Sequence, residues 1–297
     1  MGRGPFRVTP ARPQTTPHDF RVVCEHESAP TVVGGHAVNL WAINYLTPQV
    51  PKANLVSKDL DIIVSKEGLP KLQQVPGWVF QPRETKNWMD SRLGALRSTS
   101  PDGRPLLVEI LHSVHGLDQS DLEASAYIKA DGVVYRVLDP IAMLKAKAAN
   151  VRDIPQEGSP PRQDRLHLQL IARCVPEFLR DIHAGAVAES TKEKQTLDVF
   201  SRAFKTLQNR KITHTLVQEG ISPRSLLPLE FAESPLERIR KAFHWQLKLV
   251  PESEAQTPRN PAAGASEAVQ PQNEPKFNLG AGYGTGPKQD RGPRMGM

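Results

Sequence analysis

The chain has 297 residues, 38% of them hydrophobic, with a formal charge of +6 and a pI of about 9.3. That length and apolar share allow one large or two modest domains, and the mild basic excess is compatible with nucleotide or nucleic-acid partners without selecting them. No apolar run reaches membrane length, the first residues lack a signal core, and Cys24 and Cys174 alone exclude a zinc pattern or disulfide framework; a cytoplasmic protein with reduced thiols and no membrane partner is expected.

Residues 1–17, rich in Pro, Arg and Thr, read as a disordered arm. Residues 18–28 carry Phe20, Val22, Val23 and Cys24, enough for a short leading helix or strand. Residues 31–33 form an apolar run that ends in Gly34-Gly35. Without Cβ atoms that pair lets the backbone turn sharply and approach a ligand. Helical spacing follows at Ala37, Leu40, Trp41, Asn44 and Tyr45, with Trp41 (and later Trp78) read as core aromatics. A helix starting at about His36 presents free N–H groups to the turn, which suits an anion such as a triphosphate.

After a loop with Pro48 and Pro51, residues 57–64 alternate: Leu60, Ile62 and Val64 against Asp59, Asp61 and Ile63. Alternation predicts a strand, with Asp59 and Asp61 side by side on one face and Leu60 and Ile62 toward the core. Two adjacent carboxylates repel by roughly 1 to 4 kcal/mol, depending on the effective dielectric. A hard divalent ion such as Mg²⁺ turns that cost into a binding site.

Residues 68–75 predict a short helix and residues 78–80 a strand. Residues 89–98 and 104–111 predict successive strands across the turn Ser100-Pro101-Asp102-Gly103. Glu109 stands in the second of these, in an otherwise apolar run. A buried, unpaired carboxylate is expensive, so it needs a partner, and a metal held by Asp59 and Asp61 is one. His112 and His115 make a His-x-x-His with no identified third ligand, a weak metal signal. Residues 125–138 predict a hairpin around Ala130-Asp131-Gly132. Asp139 is a fitting N-cap and Pro140 a fitting first residue for the next helix, whose apolar stripe is Ile141, Leu144, Ala148 and Val151. A long helix is expected over about 163–182, with Pro176 kinking or splitting it. Residues 189–209 and 234–249 predict two more amphipathic helices, separated by the less periodic segment 212–231. Residues 251–297, rich in Pro, Gly and Gln, read as a disordered tail.

The expected fold is α+β: a small mixed sheet with flanking helices over residues 18–138, then a helical region over 139–250 that closes over it. Gly34-Gly35, an amphipathic helix and then Ser57-x-Asp59-x-Asp61 resemble the nucleotidyltransferase superfamily. The likeness is nearest to the branch of AbiEii-type toxins, with its GG…[ST]-x-D-x-D pattern. The resemblance implies Mg²⁺-dependent transfer of a nucleotidyl group from an NTP, with two ions bridged by Asp59 and Asp61. It places Glu109 as the third carboxylate, where the family more often has Asp. It implies that Gly34, Gly35, Ser57 and a lysine hold the nucleotide. Lys147, followed by Arg152, fits the family's run better than Lys145. Residues 162–165 resemble a K-D element that here lacks its lysine, which leaves Asp164 a residue favouring a helix N-terminus. The resemblance further implies a tRNA or protein acceptor and an antitoxin partner. The alternatives are a catalytically inactive nucleotide-binding protein of the same fold, or a nucleic-acid-binding module.

Overall fold

A computed structural model describes residues 14–47, 49–50, 55–83, 91–157 and 162–251. Most of residues 1–17 and nearly all of the tail expected over 251–297 lie outside them. The architecture is mixed α and β, as the hydrophobic pattern predicts. Seven strands form one sheet: β1 (Thr31–Val33), β2 (Leu60–Ile63), β3 (Val79–Pro82), β4 (Arg92–Thr99), β5 (Pro105–Leu111), β6 (Ser125–Ala130) and β7 (Val133–Leu138). Their order is β3-β4-β5-β2-β1-β7-β6. The three central junctions differ in sense: β1 runs antiparallel to β2 but parallel to β7, and β2 runs parallel to β5.

The alternation in β2 and β5 sets which side of the sheet is buried. Leu60, Ile62, Leu106, Val108 and Ile110 are buried on one face, which leaves Asp61 and Glu109 on the other. The β4–β5 turn closes where Pro-Asp-Gly predicts it, with Gly103 in a left-handed conformation that the turn requires. The β6–β7 hairpin turns at Asp131-Gly132, both with positive φ, as a two-residue turn of the primed kind demands.

Nine α-helices surround the sheet among the described residues: α1 (Arg21–Cys24), α2 (Gly34–Leu46), α3 (Gly68–Leu72), α4 (Gln119–Glu123), α5 (Pro140–Asp153), α6 (Asp164–Ala188), α7 (Glu193–Gln208), α8 (Arg210–Gln218) and α9 (Glu237–Leu247). Asp139 caps α5 as expected, its carboxylate accepting from the Ala142 N–H at 2.9 Å. Trp41 of α2 is buried and donates its indole N–H to the Leu138 carbonyl at 2.8 Å, so α2 is tied to the end of β7. The buried side chains of the sheet and those of α5 to α9 belong to one continuous core, so residues 138 and 139 are a strand-to-helix junction inside it.

Two expectations differ from the structure. Helix α6 is neither split nor ended at Pro176. A proline inside a helix costs about 3 kcal/mol. The stripe Leu168, Ile171, Val175, Phe178 and Leu179 is buried against α2 and α5, at about 1.5 to 3 kcal/mol per large side chain, which outweighs that cost. The segment 212–231 holds a regular helix, α8, at its start. Ile212, Thr213, Thr215 and Val217 are β-branched and mask its propensity. The Asn209 side chain starts it by accepting from the N–H groups of Lys211 and Ile212. Among the described residues, no helix is long and apolar enough to cross a membrane.

Candidate functional site

The end of β1, the middle of β2 and the middle of β5 meet at one place. Val33 pairs with Asp61 across the antiparallel junction, and Asp61 pairs with Glu109 across the parallel one. Directly paired residues project from the same face on strands about 4.8 Å apart. Gly34 follows Val33 with φ +67°, and a Cβ on it would stand 2.0 Å from Asp61 Oδ2. Only glycine allows this bend to lie against this carboxylate. Asp61, Glu109 and the glycine turn are therefore neighbours. Asp59 departs from its expected setting: β2 begins one residue later, at Leu60, and Asp59 sits in the bend that leads into it. Its charge nevertheless acts on Asp61.

The Asp61 carboxyl is pushed up from 3.8 to about 7. Burial is the largest cause, followed by the charges of Asp59 and Glu109; Lys147 opposes them and Asp164 adds to them. Glu109 is partly buried, as its apolar surroundings predict, and its Oε1 accepts from the Arg92 guanidinium at 3.3 Å. Its counter-ion thus comes from the neighbouring strand β4. Among the described residues, no group of three or more His, Cys, Asp or Glu side chains is gathered to hold a metal ion. His115 pairs with Asp153 at 3.0 Å, so the His-x-x-His is a surface feature.

A second set of groups lies beside Gly35. A Cβ on Gly35 would meet Ser57 Oγ at 2.7 Å and His167 Cε1 at 3.1 Å. Ser57 is pinned by Thr15: the Thr15 N–H donates to the Ser57 carbonyl at 2.7 Å and the Ser57 N–H to the Thr15 carbonyl at 3.0 Å. The Thr15 hydroxyl also donates to the Ser57 carbonyl, at 2.8 Å, so toward His36 Nε2, 3.1 Å away, it acts as the acceptor. His36 therefore carries its proton on Nε2 and leaves Nδ1 bare and buried. Burial pushes this imidazole down to about 3. Thr15 is itself fully buried, so the segment read as a disordered arm is fixed from residue 14 onward. Nothing in a Pro-, Arg- and Thr-rich stretch marks one threonine as a clasp.

Lys147 and Lys145 separate cleanly. Lys145 pairs with Asp118 at 3.1 Å and with Asp121, toward solvent. Lys147 is buried, and its Nζ donates to Asp164 Oδ1 at 2.8 Å. It lies on the side of the site, where its charge reaches Asp61, but it is held in an ion pair and does not project into open space. Asp164 is more than a residue favouring a helix start. Arg162 Nε donates to it at 2.7 Å and Asn150 Nδ2 at 3.2 Å. Burial works to raise its pKa, yet Lys147, Arg162 and Asn150 together hold the carboxyl well below the usual carboxylate range. The sequence signal for this pair is partial: Lys147 lies between alanines, which asks for a counter-charge if that helix face is buried, but nothing names Asp164 as its source.

No protein-family profile matches the chain, and no curated protein matches it in sequence. Among solved structures it is similar to an antigenic nucleotidyltransferase-like protein from Paracoccidioides brasiliensis, with a TM-score of 0.41 and 13% identity over 82% of this chain and 98% of that one. A likeness of that degree concerns the course of the chain and assigns no residue a role.

Proposed function

We propose that the chain is a metal-dependent nucleotidyltransferase that moves a nucleotidyl group from an NTP to a hydroxyl of a tRNA or protein acceptor. The observation that carries this reading is Asp61. It lies against the Gly34 bend, in register with Glu109, and its carboxyl is pushed up to about 7 by burial and by its acidic neighbours. Placing such a carboxylate in register with Glu109 is costly unless a cation joins them, which favours a hard divalent ion. Asp59, Asp61 and Glu109 are the residues that would hold Mg²⁺, one ion or two. A bound Mg²⁺ supplies charge neutralisation at the phosphates and a more acidic acceptor hydroxyl.

The remaining roles belong to the chain itself. The first N–H groups of α2, at Gly34 and Gly35, lack intrahelical partners and would donate to the triphosphate. Neither glycine carries a Cβ to hold that anion away. The Ser57 hydroxyl, beside Gly35, would donate to a phosphate oxygen. Lys147 would add positive charge, with Asp164 and Arg162 fixing its position. Glu109 would take the acceptor hydroxyl's proton as its oxygen bonds to the α-phosphorus and the bond to the leaving pyrophosphate breaks. A transferase of this kind that modified tRNA would be harmful when unrestrained, and a toxin restrained by an antitoxin is the setting we infer for it.

The test is incubation with each of four labelled NTPs, Mg²⁺, and total cellular RNA and protein, followed by gel separation. An Asp59→Ala, Asp61→Ala protein that still transferred label would refute the mechanism. The Arg92–Glu109 ion pair favours one rival, a protein that binds Mg²⁺-NTP without reacting. Binding of Mg²⁺-NTP with no release of pyrophosphate would establish it.

A further inference from the structure

We propose that His167 is a phosphate-contacting residue: its ring N–H and the Ser57 hydroxyl, both beside Gly35, contact the substrate's polyphosphate. The inference rests on the nucleotidyltransferase reading and extends it to a residue that the sequence motif does not contain.

His167 lies in the first turn of α6, one turn beyond Asp164, and is 5% exposed. Its Cε1 and the Ser57 hydroxyl are the atoms nearest to the missing Cβ of Gly35, at 3.1 and 2.7 Å. Gly35 is thus bare on the side where these two groups approach it. Other histidines of the chain have partners: His36 has Thr15, His26 has Ser28, His115 has Asp153, and His183 has Ser234. Neither ring nitrogen of His167 hydrogen-bonds to another described residue. Unlike His36 Nδ1, they are not among the side-chain atoms sealed away without a partner. A side chain this buried, with open polar atoms, is expensive to leave unmatched.

The chemistry around it selects an anion. Three kinds of donor lie around Gly35: the free N–H groups at the start of α2, the Ser57 hydroxyl and the His167 ring. Burial first, and then the Lys147 charge, push the imidazole down to about 3, so it is neutral at working pH. It adds a directed N–H where Lys147, drawn toward Asp164, adds charge. Contact at this point does not involve base or sugar, so the phosphate tail is recognised whichever nucleoside carries it.

The test uses the full chain, Mg²⁺-tripolyphosphate and the four Mg²⁺-NTPs, with affinities measured by titration calorimetry. His167→Leu should weaken tripolyphosphate and every NTP by a common factor of about tenfold, the worth of one hydrogen bond to an ionised group. His167→Gln, which keeps an N–H donor, should recover most of it. A loss for NTPs but not for tripolyphosphate assigns His167 to sugar or base and overturns the proposal; so does an unchanged affinity. If the unaltered protein binds neither ligand, the nucleotidyltransferase reading fails and the inference with it. If it binds both and His167→Leu binds equally well, only the inference fails. Should His167→Leu not fold, the ¹⁵N imidazole signals of the unaltered protein decide. With His167 assigned by its absence in His167→Gln, its signals must move when Mg²⁺-tripolyphosphate is added, and fixed signals overturn the proposal.

Discussion

Asp61→Asn should make the metal-free protein more stable at neutral and alkaline pH. Its carboxyl is pushed up from 3.8 to about 7 in the folded chain, by burial and by Asp59 and Glu109. At about 1.36 kcal/mol per tenfold change in protonation, ionised Asp61 costs the fold about 4 kcal/mol. The amide keeps the shape and removes the charge, but it brings donors that need partners of their own, so about 2 to 4 kcal/mol is the expected net gain. The sign follows from linkage. The folded protein holds this proton more tightly than the unfolded chain, so the penalty is absent below about pH 4, grows with pH, and is complete above about pH 7. For a chain of this size about 2 to 4 °C of Tm accompanies each kcal/mol, so Asp61→Asn should melt about 5 to 15 °C higher at pH 8. Differential scanning calorimetry in EDTA at pH 4, 6 and 8 measures it. The gap should shrink toward nothing at pH 4, and added Mg²⁺ should raise the Tm of the unaltered protein alone. A variant no more stable than its parent at pH 8, or a gap independent of pH, would refute the reasoning.

Lys147→Met should lose about 3 to 5 kcal/mol in urea unfolding, because it strands Asp164 in a buried site. Adding Asp164→Leu should restore most of that, and a single variant of unaltered stability would contradict the buried pair. Gly34→Ala should cost at least about 1 to 2 kcal/mol for its left-handed backbone. It should also abolish the stabilisation by Mg²⁺, because its Cβ displaces the Asp61 carboxylate; a normal Mg²⁺ response in that variant would show that the bend does not abut the acid. Thr15→Val keeps the shape but removes the acceptor for His36 and one donor to Ser57. It should lower stability by about 1 to 3 kcal/mol, and a change below about 0.5 kcal/mol would show that the clasp is idle.

The strand alternation at Leu60, Ile62, Leu106, Val108 and Ile110 was enough to place Asp61 and Glu109 on one face, and the Pro-Asp-Gly and Asp-Gly turns fixed the neighbouring hairpins in advance. Those features are local, and local patterns are legible. Thr15, Asp164 and His167 were not legible as parts of the site. Thr15 reaches Ser57 from an arm whose composition signals no structure. Asp164 meets Lys147 across a loop, and His167 meets Gly35 from a different helix. Such contacts are decided by how helices pack, and no spacing in the chain encodes them. Asp59 shows the opposite limit: alternation placed it in the strand beside Asp61, but the chain bends there and the ladder begins only at Leu60.

The middle of the sheet joins segments that are made far apart in time. Thr31 pairs with Arg136, and Trp41 bonds to the Leu138 carbonyl. On a ribosome adding about 5 to 20 residues per second, β1 waits roughly 5 to 20 seconds for its parallel neighbour to be synthesised. Through that interval the glycine bend has β2 on one side and an open edge on the other. Nascent chains that stop before Val133 lack the strand that closes this edge, so assembly of the centre is a late event in the life of the polypeptide.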